Sequence, residues 1–284
     1  MTMQIGDRFD VDITAIAHGG HCIARHEGRV IFVRHAIPGE KVTVEITDVT
    51  KNFARGNCIS VIEASPFRVQ APCKYATPDG CGGCDFQHIA PSHQLELKKE
   101  IILEQFQRLA KMSIDITVEE VPPVLHWRNR MEFTVSDNSR LGLFAARSSR
   151  IVEIDKCEIA HRNIDIAAIN QRKLPKGKRV DVAITSAGTQ EVVIEGRENF
   201  SLIHERVGEF EFTLNPISFW QSHSAAPELL STVVREFAAA APGDHIFDLY
   251  GGVGLFTAAL LSDIGAGGRI TSDRKSTRLN FSHV

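Results

Sequence analysis

Cys73, Cys81 and Cys84 fall close together in Pro72-Cys73-Lys74-Tyr75-Ala76-Thr77-Pro78-Asp79-Gly80-Cys81-Gly82-Gly83-Cys84, with the spacing C-x7-C-x2-C. The two prolines and three glycines keep this stretch out of helix and regular strand, so it reads as a loop. With Tyr75 as its one apolar anchor, such a loop has little reason to be ordered without a ligand. A C-x2-C pair can turn two thiolates onto one metal atom, and the intervening glycine amides can stabilise negative sulfur. Cys157, in Asp155-Lys156-Cys157-Glu158, is the only cysteine downstream, which makes the four one candidate metal site. Spacing alone leaves zinc and iron–sulfur open. The other use of such thiols is a disulfide framework. The opening Met1-Thr2-Met3-Gln4-Ile5-Gly6-Asp7 has neither the basic start nor the apolar run of a secretion signal, so a reducing, cytoplasmic compartment is expected. Cys22 and Cys58 sit singly in strand-like runs and read as small core residues.

A second chemical signature lies in His245-Ile246-Phe247-Asp248-Leu249-Tyr250, a short apolar strand that ends in an acid. Gly251-Gly252-Val253-Gly254 then turns into Leu255-Phe256-Thr257-Ala258-Ala259-Leu260-Leu261, which reads as a helix. Strand, glycine turn and helix open a doubly wound α/β fold, with the ligand over the carboxyl end of the strand. The third glycine of a dinucleotide fingerprint is missing. An acid beside the turn suits instead the cationic amino-acid half of S-adenosylmethionine. A third candidate is His126-Trp127-Arg128-Asn129-Arg130. Between His126 and Arg150 five arginines (Arg128, Arg130, Arg140, Arg147 and Arg150) stand against Glu132 and Asp137. Cations beside an aromatic suit RNA, which makes Trp127, Arg128 and Arg130 the candidate contacts. The plainer reading is an exposed hairpin with solvated charges.

The elements that must position these residues can be outlined from pattern. The 284 residues suffice for two or three domains, and 43% hydrophobic with 24% charged residues is ordinary for a globular chain. No apolar run approaches a membrane span, so no membrane partner is expected. The net charge of −3 argues against bulk attraction to nucleic acid, so any RNA binding must come from a local patch. Phe9, Val11 and Ile13 alternate with acids and Thr14, and Val42, Val44 and Ile46 alternate with polar residues, with Val30-Ile31-Phe32-Val33 between them. Short strands punctuated by Gly19-Gly20, Gly28 and Pro38-Gly39 predict a small barrel of the oligonucleotide-binding (OB) type, or another small β fold. The seven Lys and Arg against eight Asp and Glu of residues 1–63 show that it is not basic overall. Pro91-Ser92 opens a helix with Leu95, Ile102, Phe106 and Leu109 on one face. Hairpins through 126–154 and 179–195 make the middle region α+β, and the first of them delivers Cys157.

The cysteine pattern, the Asp248–Phe256 run and Phe219-Trp220-Gln221-Ser222 ahead of a helix together resemble the RNA (uracil-5-)-methyltransferases. His18-Gly19-Gly20, Gly28–Val33 and Ile37-Pro38-Gly39-Glu40-Lys41-Val42 resemble the TRAM domain, an RNA-binding barrel appended to RNA-modifying enzymes. With that barrel the resemblance, spanning about residues 5 to 272, is to the branch that methylates a uridine of 23S ribosomal RNA. It implies a [4Fe-4S] cluster on Cys73, Cys81, Cys84 and Cys157. It also implies S-adenosylmethionine contacts from Gln221 and Tyr250, a pocket shaped by Asp248, Gly252 and Gly254, ribosomal RNA as partner, and a monomer. The chain departs from the family at Gly251, often cysteine there, and at Leu255, often polar.

Carbon 5 of uracil is a poor nucleophile. A thiolate must first add at carbon 6, and a base later removes the carbon-5 proton. The family draws both groups from the far half of the methyltransferase domain. The 42 residues from Gly243 to Val284 hold about two strands of a sheet that needs about six or seven. None of the six cysteines occupies the nucleophile's place, so no catalytic residue is assigned and the chain is expected to be inactive alone. The run from Arg274 to Val284 lacks strand or helix periodicity and resembles translated adapter sequence, which suggests a truncated gene. The expected architecture is multidomain. It comprises an OB-like β-barrel at 1–64, a central α+β iron–sulfur domain at 65–215, an incomplete Rossmann-like α/β methyltransferase domain at 216–272, and a non-native tail at 273–284.

Overall fold

The computed structural model describes residues 3–197 and 200–273, with the backbone of 281–283. The chain divides into two compact units, one of residues 1–120 with 143–152, the other of 121–142 with 153–284.

In the first unit, alternation of apolar and polar residues makes β1 (Arg8–Asp12), β2 (Ala15–Ile16), β3 (Cys22–His26), β4 (Arg29–Arg34), β5 (Lys41–Val49) and β6 (Phe53–Glu63). They form one sheet in the order β1-β5-β6-β4-β3-β2, antiparallel except for the β4–β6 pair. Val11, Ile13, Ile31, Val33, Val42, Val44 and Ile46 make its core, and Cys22 and Cys58 join them as expected. Burial pushes the Cys22 thiol up to about 12, which keeps it protonated and inert. Glu40 is fully enclosed and takes a two-pronged ion pair from Arg68, 2.6 Å to each carboxylate oxygen. The amides of Ile37 and Ser65 also donate to it. Burial alone would raise its pKa, but these donors outweigh burial and lower it.

Helix α1 (Pro91–Gln105) follows the cysteine loop. Its buried face is not the expected one. Leu97 and partly buried Ile101 pack with Ile16, Ile37 and Ile89, whereas Ile102, Phe106 and Leu109 stay exposed. The apolar residues outnumber the single stripe that the neighbouring sheet and loop can cover. Pattern alone cannot say which stripe docks.

The second unit is built on β7 (Arg130–Val135), β10 (Arg179–Ile184) and β11 (Gln190–Ile194). β7 also pairs with the first residues of β8 (Leu141–Phe144). A hairpin of β12 (Ile203–Val207) and β13 (Phe210–Leu214) packs with Trp220, Val253, Leu255 and Ala258 in a second core. Helix α2 (Ile166–Asn170) precedes β10, and helix α3 (Ala226–Ala238) leads to β14 (His245–Asp248), α4 (Leu255–Ile264) and β15 (Arg269–Ser272), with β14 and β15 paired in parallel. The tail differs from expectation in one respect. Phe281–His283 forms a strand antiparallel to β13, whose outer edge offers unpaired amides and carbonyls to any extended segment. The rest of that tail, 274–280 and 284, lies outside the described residues. Among the described residues no helix is long and apolar enough to cross a membrane.

Candidate functional site

The glycine turn sits at the carboxyl end of β14. Gly252 and Gly254 have φ of +53° and +88°, a left-handed backbone that only glycine adopts without strain. Gly254 donates to the Gly251 carbonyl at 2.7 Å and begins α4, so the helix amino terminus points into the turn. Asp248 ends the strand, and its carboxylate accepts from the Thr257 hydroxyl in the first turn of α4. The Asp248 carbonyl also accepts from the Asp273 amide at 3.1 Å, which ties the turn to the end of β15. A Cβ on Gly251 would lie 2.6 Å from Asp248 Oδ2 and would strike the Ser272 hydroxyl. That hydroxyl is buried without a hydrogen-bond partner. An orphaned donor, an oriented acid and a cradle that a side chain would fill are what a small polar ligand requires, so these residues fit the amino-acid and sugar portions of S-adenosylmethionine. Tyr250, at φ +64° and 81% exposed, stands beside the turn with its ring open to a ligand.

Gln221 is placed by its neighbour. Trp220 is buried against Phe212, with ring centroids 5.4 Å apart, in the same core as Val253 and Leu255. The loop bearing Gln221 and the loop bearing the glycines thus share one foundation. Thr257, Ser272 and the steric role of Gly251 were not anticipated. The available signal was a hydroxyl in the first turn of a helix that follows an acid-ended strand.

The four cysteines divide. Cys73 and Cys81 are buried and Cys84 half-buried in the first unit, while Cys157 belongs to the second. None is in a disulfide. Among the described residues no group of three or more His, Cys, Asp or Glu is arranged to hold a metal ion. The thiols are soft ligands of the right kind for a metal. Cys157 lines a cavity of about 740 Å³ with His126, His161, Asp155 and Asp165. Burial, and then the nearby His126, hold the His161 pKa below its ordinary value.

The basic segment is only partly available. Arg130 turns inward, donating to the Ile184 carbonyl at 2.8 Å and pairing with the carboxylate of Glu205, a residue that also accepts from the Ser186 amide. It braces β7 and β10 against the β12–β13 hairpin. Trp127 stacks on His223 with centroids 5.4 Å apart, and the Arg128 guanidinium lies 6.0 Å from the Trp127 ring. Both remain half-exposed.

Residues 3–59 match the TRAM domain. An uncharacterized RNA methyltransferase of Streptomyces coelicolor is 33% identical, over 94% of this chain and 68% of its own length. Another, from Corynebacterium efficiens, is 35% identical over 92% of this chain and 68% of its own. Among solved structures, the tRNA (uracil-54, C5)-methyltransferase of Pyrococcus abyssi, in complex with S-adenosyl-L-homocysteine, superposes with a TM-score of 0.62 over 88% of this chain and 70% of that one. At 20% identity that likeness is one of fold. With relatives above 30% identity matched along nearly the whole chain, the chain belongs to the RNA methyltransferase family.

Proposed function

We propose that this chain binds S-adenosylmethionine at the Asp248–Gly254 turn and RNA on its other faces, as part of a methylation of uridine carbon 5 in 23S ribosomal RNA. The observation that carries this is the turn itself, with its oriented acid, orphaned Ser272 hydroxyl and glycine-only cradle. The cofactor supplies an electrophilic methyl group. The chain's own residues hold it: Asp248 toward the donor's ammonium, the turn amides and Ser272 toward its polar edge, and Gln221 and Tyr250 beside it. Trp127 and Arg128 offer a stacking and cationic contact to RNA, with Arg130 bracing the strand behind them. The Pyrococcus enzyme's name supports uracil carbon 5 as the reacting atom, and the TRAM match supports an RNA partner.

Cys22 and Cys58 are buried in the N-terminal sheet, Cys73, Cys81 and Cys84 lie in the loop after it, and Cys157 stands far along the chain from the glycine turn. None is offered as the thiolate that adds to carbon 6, so the chain alone, as a monomer, is expected to bind both substrates without turnover. The spacing of Cys73, Cys81, Cys84 and Cys157 supports a four-thiolate iron–sulfur cluster. An anaerobic preparation with about four irons and no zinc would agree. A single zinc would instead favour a structural metal in a non-catalytic RNA-binding module.

The deciding experiment is equilibrium dialysis with labelled S-adenosylmethionine on the native chain and Asp248→Asn, followed by an assay for label transfer to unmodified 23S ribosomal RNA. Binding that the variant weakens at least tenfold, without transfer, is the expected result. Absence of binding by the native chain overturns the cofactor site, and transfer overturns the assignment of no catalytic thiol.

A further inference from the structure

One concave site in the first unit gathers four arginines among its lining residues and comes from three separate stretches of chain. The sheet supplies His21, Phe32, Arg34, Thr47, Asp48, Arg55 and Asn57. The cysteine loop supplies Pro78, and the turn between β8 and β9 (Ile151–Glu153) supplies Arg147 and Arg150 around a cavity of about 490 Å³. That volume holds a nucleotide and not a duplex.

The turn is held in place by backbone. The Gly82 amide donates to the Phe144 carbonyl at 2.8 Å, Cys81 bridges to Ala145, and the Ala145 amide donates to the Arg150 carbonyl at 2.9 Å. A Cβ on Gly82 would lie 2.7 Å from Ala146 Cα, so this seat requires glycine. Arg150 is fixed by donating to the Asp79 carbonyl at 2.9 Å. Arg34 is 10% exposed and pairs with Asp85 at 2.6 Å. Arg55 lies 4.7 Å from the centre of the Phe53 ring and 3.9 Å from the Asp48 carboxylate. Phe53 in turn meets Phe32 edge-on at 5.4 Å. Arg147, exposed and at φ +52°, has no ion pair or hydrogen bond among the described residues. A non-glycine residue held in that conformation is strained, and the strain delivers an uncommitted guanidinium to the rim. With Arg34 paired to Asp85 and Arg55 beside Asp48, Arg147 and Arg150 leave the site with an excess of two positive charges. His21, between them, has its pKa lowered by burial first and then by Arg147, Arg34 and Arg55 against the opposing pull of Asp85.

We infer that this pocket binds a phosphodiester of unpaired RNA, with Arg147 and Arg150 on the phosphate and Phe32, backed by Phe53 and Arg55, beside the base. The inference rests on the proposed RNA substrate and adds the turn 145–150 to the matched TRAM segment as part of one binding site. Guanidinium forks match phosphate oxygens, and a cation-backed aromatic edge accepts any base without reading its sequence.

The test is fluorescence titration of the whole chain with a labelled single-stranded RNA of about 12 nucleotides across a salt series. A duplex of the same length and inorganic phosphate serve as competitors. Arg147→Gln and Arg150→Gln each are expected to weaken binding roughly fivefold and to lower the slope of log K against log salt by about 0.7. Lys176→Gln, on the exposed surface of the second unit, should do neither. Binding by the native chain that is indifferent to both arginine substitutions overturns the pocket and leaves the RNA substrate standing. Inorganic phosphate competing at the same concentration as RNA phosphate overturns it in favour of a free-anion site. Failure of the native chain to bind any RNA defeats the substrate reading itself.

Discussion

The chain has two glycine-rich loops, and they need glycine for different physical reasons. In Gly80-Cys81-Gly82-Gly83 none of the glycines adopts a positive φ. Gly80 and Gly82 are required because other backbone passes where a Cβ would stand, the Tyr75 carbonyl at one and Ala146 at the other. In Gly251-Gly252-Val253-Gly254, Gly251 is held small by the side chains of Ser272 and Asp248, but Gly252, whose Cβ would meet only the Tyr250 carbonyl at 3.9 Å, and Gly254 are required by a positive φ. The first loop packs against other backbone, whereas the second turns an acid-ended strand into a helix. Two loops of similar composition thus use glycine differently. Glycine content alone does not separate a packing seat from a ligand cradle.

The comparison can be broken most directly at Gly82. Gly82→Ala sets a methyl group against backbone that cannot rotate away, and about 4 kcal/mol of stability should be lost, read as a lower urea midpoint for the first unit. Gly83→Ala, whose Cβ would meet only Cys81 Sγ at 3.8 Å, should stay within about 0.5 kcal/mol of the native chain. Equal midpoints for the two variants would sink the idea of a packing seat.

Just below in expected effect is the buried ion pair in the same unit. Glu40→Gln leaves Arg68 facing a neutral partner and should cost about 3 kcal/mol. Because the folded-state pKa of Glu40 is lowered, its contribution is present above the ordinary carboxylate range and is lost as pH falls through the folded value. The variant should therefore show a flatter acid limb.

His35 sharpens the contrast between units. Burial first, and then Arg34 and His88, hold its pKa near about 4, and its Nε2 is buried without a partner. A histidine whose folded pKa lies below its unfolded value destabilises the fold once the unfolded chain can protonate. Stability should thus fall between about pH 6.5 and 4, by on the order of 3 kcal/mol at the lower limit. Hydrogen exchange across that window should show the first unit opening before the second, and simultaneous opening would contradict this. The smallest effect belongs to the turn. Gly252→Ala should cost about 1 kcal/mol from its φ alone while weakening S-adenosylmethionine in dialysis, a binding loss that exceeds the stability loss.

Much of the strand pattern was legible because alternation reports a half-buried sheet. β1, β4 and β5 fall on the runs that carry Phe9–Ile13, Val30–Val33 and Val42–Ile46. The strand–turn–helix at 245–264 was equally plain, since an apolar strand, an acid and positive-φ glycines are local properties. What periodicity missed depends on contacts distant in sequence. Helix α1 offers more apolar residues than one face can bury, and only Ile16, Ile37 and Ile89 select Leu97 and Ile101. Arg130 belongs to a run of cations but spends its charge on Glu205, a partner beyond the reach of any local window.

By itself, the sequence determined the alternating strands, the acid-ended strand with its glycine turn and the presence of soft thiols, because each follows from residue type and near-neighbour spacing. Only the tertiary structure decided which glycines are steric, which arginines are already neutralised and which turn seats over the N-terminal sheet. Those outcomes depend on what distant backbone occupies the space around a side chain, and one-dimensional order does not encode that directly.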